Sequence, residues 1–318
     1  MSSSILTSNA TLVNIGTHSL ALYAHGPEPR SSKDPVVLFV SGVASSSLNW
    51  AAVVRMLPPS LRSYTYDRSG YRNSEPSPLE PTAENIALEL SLLIKKAPIP
   101  SPLIIVGHSW AGVLINEFIA LTGNGPHIAG LVLVDANYET MPEVLNVNDP
   151  ILGVIAEGVH PYTGRGIDTE HKLTQEEWDA FNSDQFSEKC KLIGEKEDGE
   201  HYLPSFETLQ KKELGKRQPL VGDKPVYVIG GMRSRDWTGL YKAGVEKGNG
   251  TEEQRSHVRE LIRTADEKSE SLMKEFLKLS TKSKLVFAHQ SGHFVQLTQP
   301  DIVANGVKRV LDNFQTSS

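Results

Sequence analysis

The chain has 318 residues, 39% of them hydrophobic and 22% charged, enough to bury a sizeable core in one large domain or two small ones. A net charge of −6 leaves no basic footprint for nucleic acid, and a single cysteine, Cys190, excludes an intrachain disulfide and a cysteine-built metal site. The first residues, Met1 to Leu6, lack the basic and apolar regions of a secretory signal, and no apolar run approaches the ~18 residues of a membrane span, so a soluble, cytoplasmic protein is expected.

In chain order, residues 11–25 read as two short alternating strands turning at Gly16, followed by a polar loop to Asp34. Val36 to Val40 is a continuous apolar run, as a parallel strand buried on both faces requires, and it ends at Ser41-Gly42-Val43-Ala44 before a helix from about Leu48 to Met56. A strand over 63–66 ends in Asp67-Arg68-Ser69-Gly70-Tyr71-Arg72-Asn73-Ser74. Thr82 then caps a helix through Lys95, with Ile86, Leu90, Leu93 and Ile94 at helical spacing. Leu103 to Val106 is a further buried strand, and the apolar run from Val113 is compatible with a helix as far as Gly123. After a strand over 128–134, strand signals vanish from Ala136 to about Lys224, where helical pieces such as the capping box Thr174-x-x-Glu177 appear. Strands resume at 224–231 and 284–288, with a long charged helix from Thr251 to about Leu279 between them and a closing helix from Pro300 to Phe314. Apolar strands alternating with helices predict an α/β fold, a mostly parallel central sheet with helices on both faces.

Between the 103–106 strand and its helix lies Gly107-His108-Ser109-Trp110-Ala111, close to the G-x-S-x-G turn that lifts a serine hydroxyl clear of a sheet at a helix N-terminus. With that turn, the Ser41-Gly42-Val43-Ala44 turn, the Asp67 to Ser74 turn and a late Ser291-Gly292-His293-Phe294 segment, the chain resembles the α/β-hydrolase fold superfamily. The resemblance implies a core formed by residues 1–136 and 224–318 and a helical cap, or lid, over 137–223. It also implies an oxyanion hole made of the Val43 and Trp110 amides, and a structural rather than catalytic Asp67.

A serine needs an adjacent base that titrates near neutrality, which favours histidine. Of ten histidines, His293 alone follows the terminal strand within the Ser-Gly-His segment; His108 would point away from the Ser109 hydroxyl. His289 and His293 form an H-x-x-x-H string with no third ligand, so no metal is expected there. The orienting acid must fall between Ser109 and His293 in chain order. Asp236, shortly after Gly230-Gly231, is the expected one, and Asp135, at the end of the preceding strand, is the runner-up.

These residues point to a serine hydrolase that cleaves an ester, lactone or related acyl bond through an acyl-enzyme, with no cofactor. Trp50, Trp178, Phe181 and Tyr202 are candidate contacts for a small, largely apolar substrate. The alternatives are a proline-iminopeptidase-like peptidase, and reuse of the fold as an acyltransferase, a cyclase or a small-molecule receptor. The oligomeric state is not readable from the sequence.

Overall fold

The computed structural model describes residues 5–123 and 127–315, so Met1 to Ser4 of the segment read for a signal lie outside the described residues. An eight-stranded sheet forms the centre, in the order β1-β2-β4-β3-β5-β6-β7-β8. Its strands are β1 (Thr11–Asn14), β2 (Ser19–His25), β3 (Val36–Val40), β4 (Ser63–Tyr66), β5 (Leu103–His108), β6 (Ile128–Val134), β7 (Val226–Gly231) and β8 (Ser283–Ala288). β1 and β2 form the expected hairpin at Gly16, whose φ of 115° falls in the region that glycine favours. β2 meets β4 antiparallel, and every pairing from β4 to β8 is parallel. The predicted α/β architecture is what the structure has.

The continuous apolar runs of β3, β5 and β6 are explained by burial on both faces. In β3, Val36, Leu38 and Val40 pack into one cluster with Leu90, Ile115 and Leu272, while Val37 and Phe39 pack into another with Val53 and Val307. The first cluster is roofed by the helices Ala83–Lys96, Ala111–Thr122 and Glu252–Glu275, the second by Ala51–Met56 and Pro300–Gln315. Each fully buried side chain of this kind contributes about 1.5–3 kcal/mol of transfer free energy.

Several helix boundaries follow from local chemistry. Thr82 accepts a hydrogen bond from the Asn85 amide at 3.2 Å, and Gly123, at φ 77°, ends the helix after the serine turn. Thr174 and Glu177 form both bonds of the capping box at the start of Gln175–Gln185. Between β6 and β7 the described residues form helices only, as the sequence implied. One helix was not anticipated, Arg233–Glu246, which begins two residues after β7. Its Gly239 and Gly244 each let another backbone approach. A Cβ on Gly239 would stand 2.1 Å from the Gly164 carbonyl oxygen, and one on Gly244 would stand 1.9 Å from that of Ile155.

Candidate active site

Ser109 sits at the tip of β5, where the chain turns into Ala111–Thr122, with φ at 58°. A non-glycine residue held in this left-handed region stores about 1–3 kcal/mol of strain, which surrounding packing must impose. Here that packing is visible. A Cβ on Gly107 would lie 2.4 Å from Ile115 Cδ1 and 3.0 Å from Ala111 Cβ, so strand and helix touch. A Cβ on Gly112 would lie 2.5 Å from the Asn137 carbonyl oxygen. The glycine requirement has thus moved one residue past the usual motif position, which Ala111 fills. The Asn137 amide donates to the Ser109 carbonyl at 2.8 Å and locks the turn to the segment after β6.

His293 Nε2 lies 2.9 Å from Ser109 Oγ, and its Nδ1 lies 2.5 Å from Asp135 Oδ2. The Asp236 carboxylate does not meet the ring. Its Oδ2 accepts the backbone amide of His293 at 2.9 Å, and it packs where a Cβ on Gly292 would come within 1.7 Å of Oδ1. The expected pairing of Asp236 with the imidazole is therefore corrected in favour of the runner-up, Asp135. The physical reason is the unanticipated helix: Asp236 lies in its first turn, facing the backbone of residues 292–293. Asp135, at φ 38°, stands at the carboxyl end of β6 and aims directly at the ring.

Arg233 joins this group. Its Nη2 lies 2.9 Å from Asp135 Oδ2 and 3.2 Å from His293 Nδ1, while the Gly231 amide donates to Asp135 Oδ1 at 3.0 Å. Burial alone would raise the Asp135 carboxyl, but Arg233 and His293 override it and hold Asp135 well below the usual carboxylate range. Burial, and then the positive charge of Arg233, push the His293 imidazole below its ordinary value against the pull of Asp135. His108 points away from the hydroxyl, as expected. Its Nε2 donates to the His293 carbonyl at 2.9 Å and its Nδ1 accepts from Gln296 at 3.2 Å, an arrangement that suits a neutral ring. Burial lowers its pKa well below the ordinary value.

The turn after β3 lies against the serine: a Cβ on Gly42 would stand 2.9 Å from Ser109 Cβ. Ser41 Oγ accepts from the Trp50 indole at 3.0 Å and donates to the Ser46 carbonyl at 3.0 Å, so it braces the turn from behind. Arg68 Nη1 donates to the carbonyls of Ser41 and Gly42, both at 2.6 Å, and its Nη2 reaches both oxygens of Glu197 at 2.7 Å. Glu197 also accepts from Tyr71 Oη at 2.7 Å and from the Ala44 amide at 3.1 Å. Glu197 opens a π-helical stretch, Glu197–Tyr202, in the segment between β6 and β7. Single π turns of this kind recur at functional sites because they re-aim side chains within a helix. Neither Arg68 nor Glu197 was singled out from the sequence; 129 residues separate them, and no local pattern links them. Asp67 is fully occupied in bracing this region, accepting from Tyr23 at 2.7 Å and from Ser47 Oγ at 2.7 Å, the structural role expected of it.

Ser109 and His293 open into a cavity of two overlapping lobes, of about 520 and 560 Å³, each also lined by Val43, Arg165, Phe186 and Asp198. Of the four candidate contacts only Tyr202 reaches it, with its hydroxyl donating to Asn137 Oδ1 at 3.0 Å. Trp50 is wholly buried against Phe39 under the sheet. Trp178 stacks on His171 at 4.0 Å, and Phe181 stacks on Tyr162 at 5.6 Å, inside a separate core cluster. Amphipathic spacing shows that a helix buries one face, but not what it buries it against. His160 is bonded locally, to Thr163, whereas His201 reaches Glu80, 121 residues away in sequence, at 3.3 Å. No described helix is long and apolar enough to cross a membrane.

Comparison with known proteins agrees with this fold. Residues 37–305 match the model of a family described as the Alpha/beta hydrolase family. A protein of Hormonema carpetanum described as the probable transporter efuK is 33% identical over 310 residues; the match takes in 96% of this chain but only 43% of that protein's length. An AB hydrolase superfamily protein of Gibberella zeae is 28% identical over 304 residues, spanning 92% of this chain and 91% of that one. Among solved structures, a thermophilic esterase from Thermogutta terrifontis superimposes with a TM-score of 0.62 at 16% identity, covering 96% of this chain and 99% of its own.

Proposed function

The chain belongs to the alpha/beta hydrolase family, and we propose that it acts there as a serine hydrolase on an ester, lactone or related acyl bond of a small molecule. The observation that carries this reading is the unbroken contact from Ser109 Oγ through the two nitrogens of His293 to Asp135, at 2.9 and 2.5 Å. Ser109 Oγ attacks the carbonyl carbon while His293 Nε2 takes its proton. The oxygen that becomes negative is held by the amides of Val43 and Trp110, beside the hydroxyl. The intermediate collapses, the alcohol leaves with the proton from His293, and the acyl group stays on Ser109. His293 then deprotonates a water that attacks the acyl-enzyme, and the acid departs as the proton returns to Ser109. Asp135 keeps the imidazole in its productive tautomer and stabilises the imidazolium in both steps. The helices of residues 137–223 serve as the cap that closes the cavity over the reacting carbonyl.

A panel of aryl esters and lactones assayed against the wild type and His293→Ala tests the proposal. Turnover of at least one class by the wild type, lost in the variant, is expected; equal activity of the two proteins would refute it.

The pH profile carries a second expectation. Burial and Arg233 both disfavour the imidazolium, so His293 stays a free base below its ordinary pKa, and the acid limb of kcat/KM lies below pH 6.5. Arg233→Met removes a positive charge next to the ring, which favours protonation and moves that limb to higher pH. A limb that stays in place, or moves down, would show that Arg233 does not act on the base.

A further inference from the structure

We infer that the substrate carries a free carboxylate, bound by Arg165 in the cavity beside Ser109; this rests on the serine hydrolase reading above. Arg165 follows the short helix Pro161–Gly164 and lines both lobes together with Ser109 and His293. The other arginines around the site are paired: Arg68 with Glu197, Arg233 with Asp135, Arg235 with Glu170. Arg165 has one bond, Nη1 to the Pro161 carbonyl at 3.1 Å, and among the described residues no carboxylate lies within 4 Å of it. A half-buried guanidinium with unused donors is costly unless a ligand supplies the acceptor. Its backbone is also fixed in advance. The Gly164 carbonyl is pressed against Gly239 and the Gly164 Cα against Leu240, so the residue bearing the cation cannot drift from the cavity wall.

The acidic groups facing the same space limit the charge that fits. Asp236 accepts the His293 amide and, beyond 4 Å, is the carboxylate whose charge bears most on Arg165. Asp198 lines both lobes with its carboxyl pushed up by burial and by Glu197, and in one lobe Lys191 is already paired with Glu195 at 3.8 Å. A single guanidinium with no described carboxylate within 4 Å suits a single negative charge better than a phosphate dianion. The planar fork of arginine matches a carboxylate with two parallel hydrogen bonds.

The test compares the para-nitrophenyl half-ester of adipic acid with para-nitrophenyl hexanoate, which share a chain length and differ in the terminal carboxylate. The wild type should favour the half-ester in kcat/KM by about 10- to 100-fold, the worth of one charge-assisted pair. Arg165→Gln should collapse that ratio and Arg165→Lys restore part of it. A wild type with no preference, or a preference that survives Arg165→Gln, overturns the inference. If neither ester is turned over, the hydrolase reading fails separately, and calorimetry of monomethyl adipate with the Ser109→Ala protein decides. Binding that is weakened at least about 10-fold by adding Arg165→Gln supports the carboxylate site. Absent binding, or binding indifferent to Arg165, overturns it.

Discussion

Asp135→Asn should lower kcat by about 10⁴-fold, because an amide at this position leaves His293 in the wrong tautomer to accept the serine proton. Asp236→Asn should cost far less, on the order of 10-fold, since the amide oxygen can still accept the His293 backbone N–H and the ring keeps its partner. Steady-state kinetics of the two variants, with folding checked by circular dichroism, separate the roles. Equal losses, or a larger loss at Asp236, would mean that the acid contact seen at 2.5 Å is not the working one.

Glu197→Ala should be the most damaging change away from the reacting atoms. Arg68 and Glu197 are both almost fully buried, with side chains 3% and 2% exposed, and removing one partner leaves an uncompensated charge. Breaking such a pair costs about 3–5 kcal/mol, to be read as a fall in the urea midpoint of unfolding. The same change frees the turn that carries Val43, because Arg68 holds the Ser41 and Gly42 carbonyls and Glu197 holds the Ala44 amide. Loss of one oxyanion donor is worth about 10²–10³ in kcat, which sets the upper range of the catalytic defect. The double variant Arg68→Met, Glu197→Leu tells the two effects apart. Apolar side chains of similar volume should recover much of the stability, whereas kcat should stay low with nothing left to hold the turn. Recovery of both would reduce the ion pair to a packing element.

The strands and the serine turn were legible because they are local. Continuous apolar runs, a Gly-x-Ser-x-Ala turn between strand and helix, and Ser-Gly-His after the last strand each lie within ten residues. The carboxylate that meets the His293 ring was misjudged because its identity depends on where the chain goes after β7. Counting residues from Gly231 favoured Asp236, but the chain enters a helix at once, and that helix faces Asp236 to a backbone amide and presents Arg233 to Asp135 and the His293 ring. Gly239 and Gly244 of this helix stand against the Gly164 and Ile155 carbonyls, contacts that no local pattern reveals. The aromatic residues of the 137–223 segment misled for a related reason. Trp178 and Phe181 have the spacing of a buried face, and Phe181 is buried with Trp178 half-buried beside it, but they pack with Leu173 and Leu297 and do not line the cavity. Two charged residues that line the cavity, Arg165 and Asp198, were hidden in a segment rich in charge.

The most direct test of the relay from Asp135 to Ser109 is intact-protein mass spectrometry after exposure to a fluorophosphonate. One adduct per chain is expected, mapped to Ser109, absent from Ser109→Ala and formed far more slowly in His293→Ala. A folded wild-type protein that takes up no adduct, or takes it up at another residue, would contradict it.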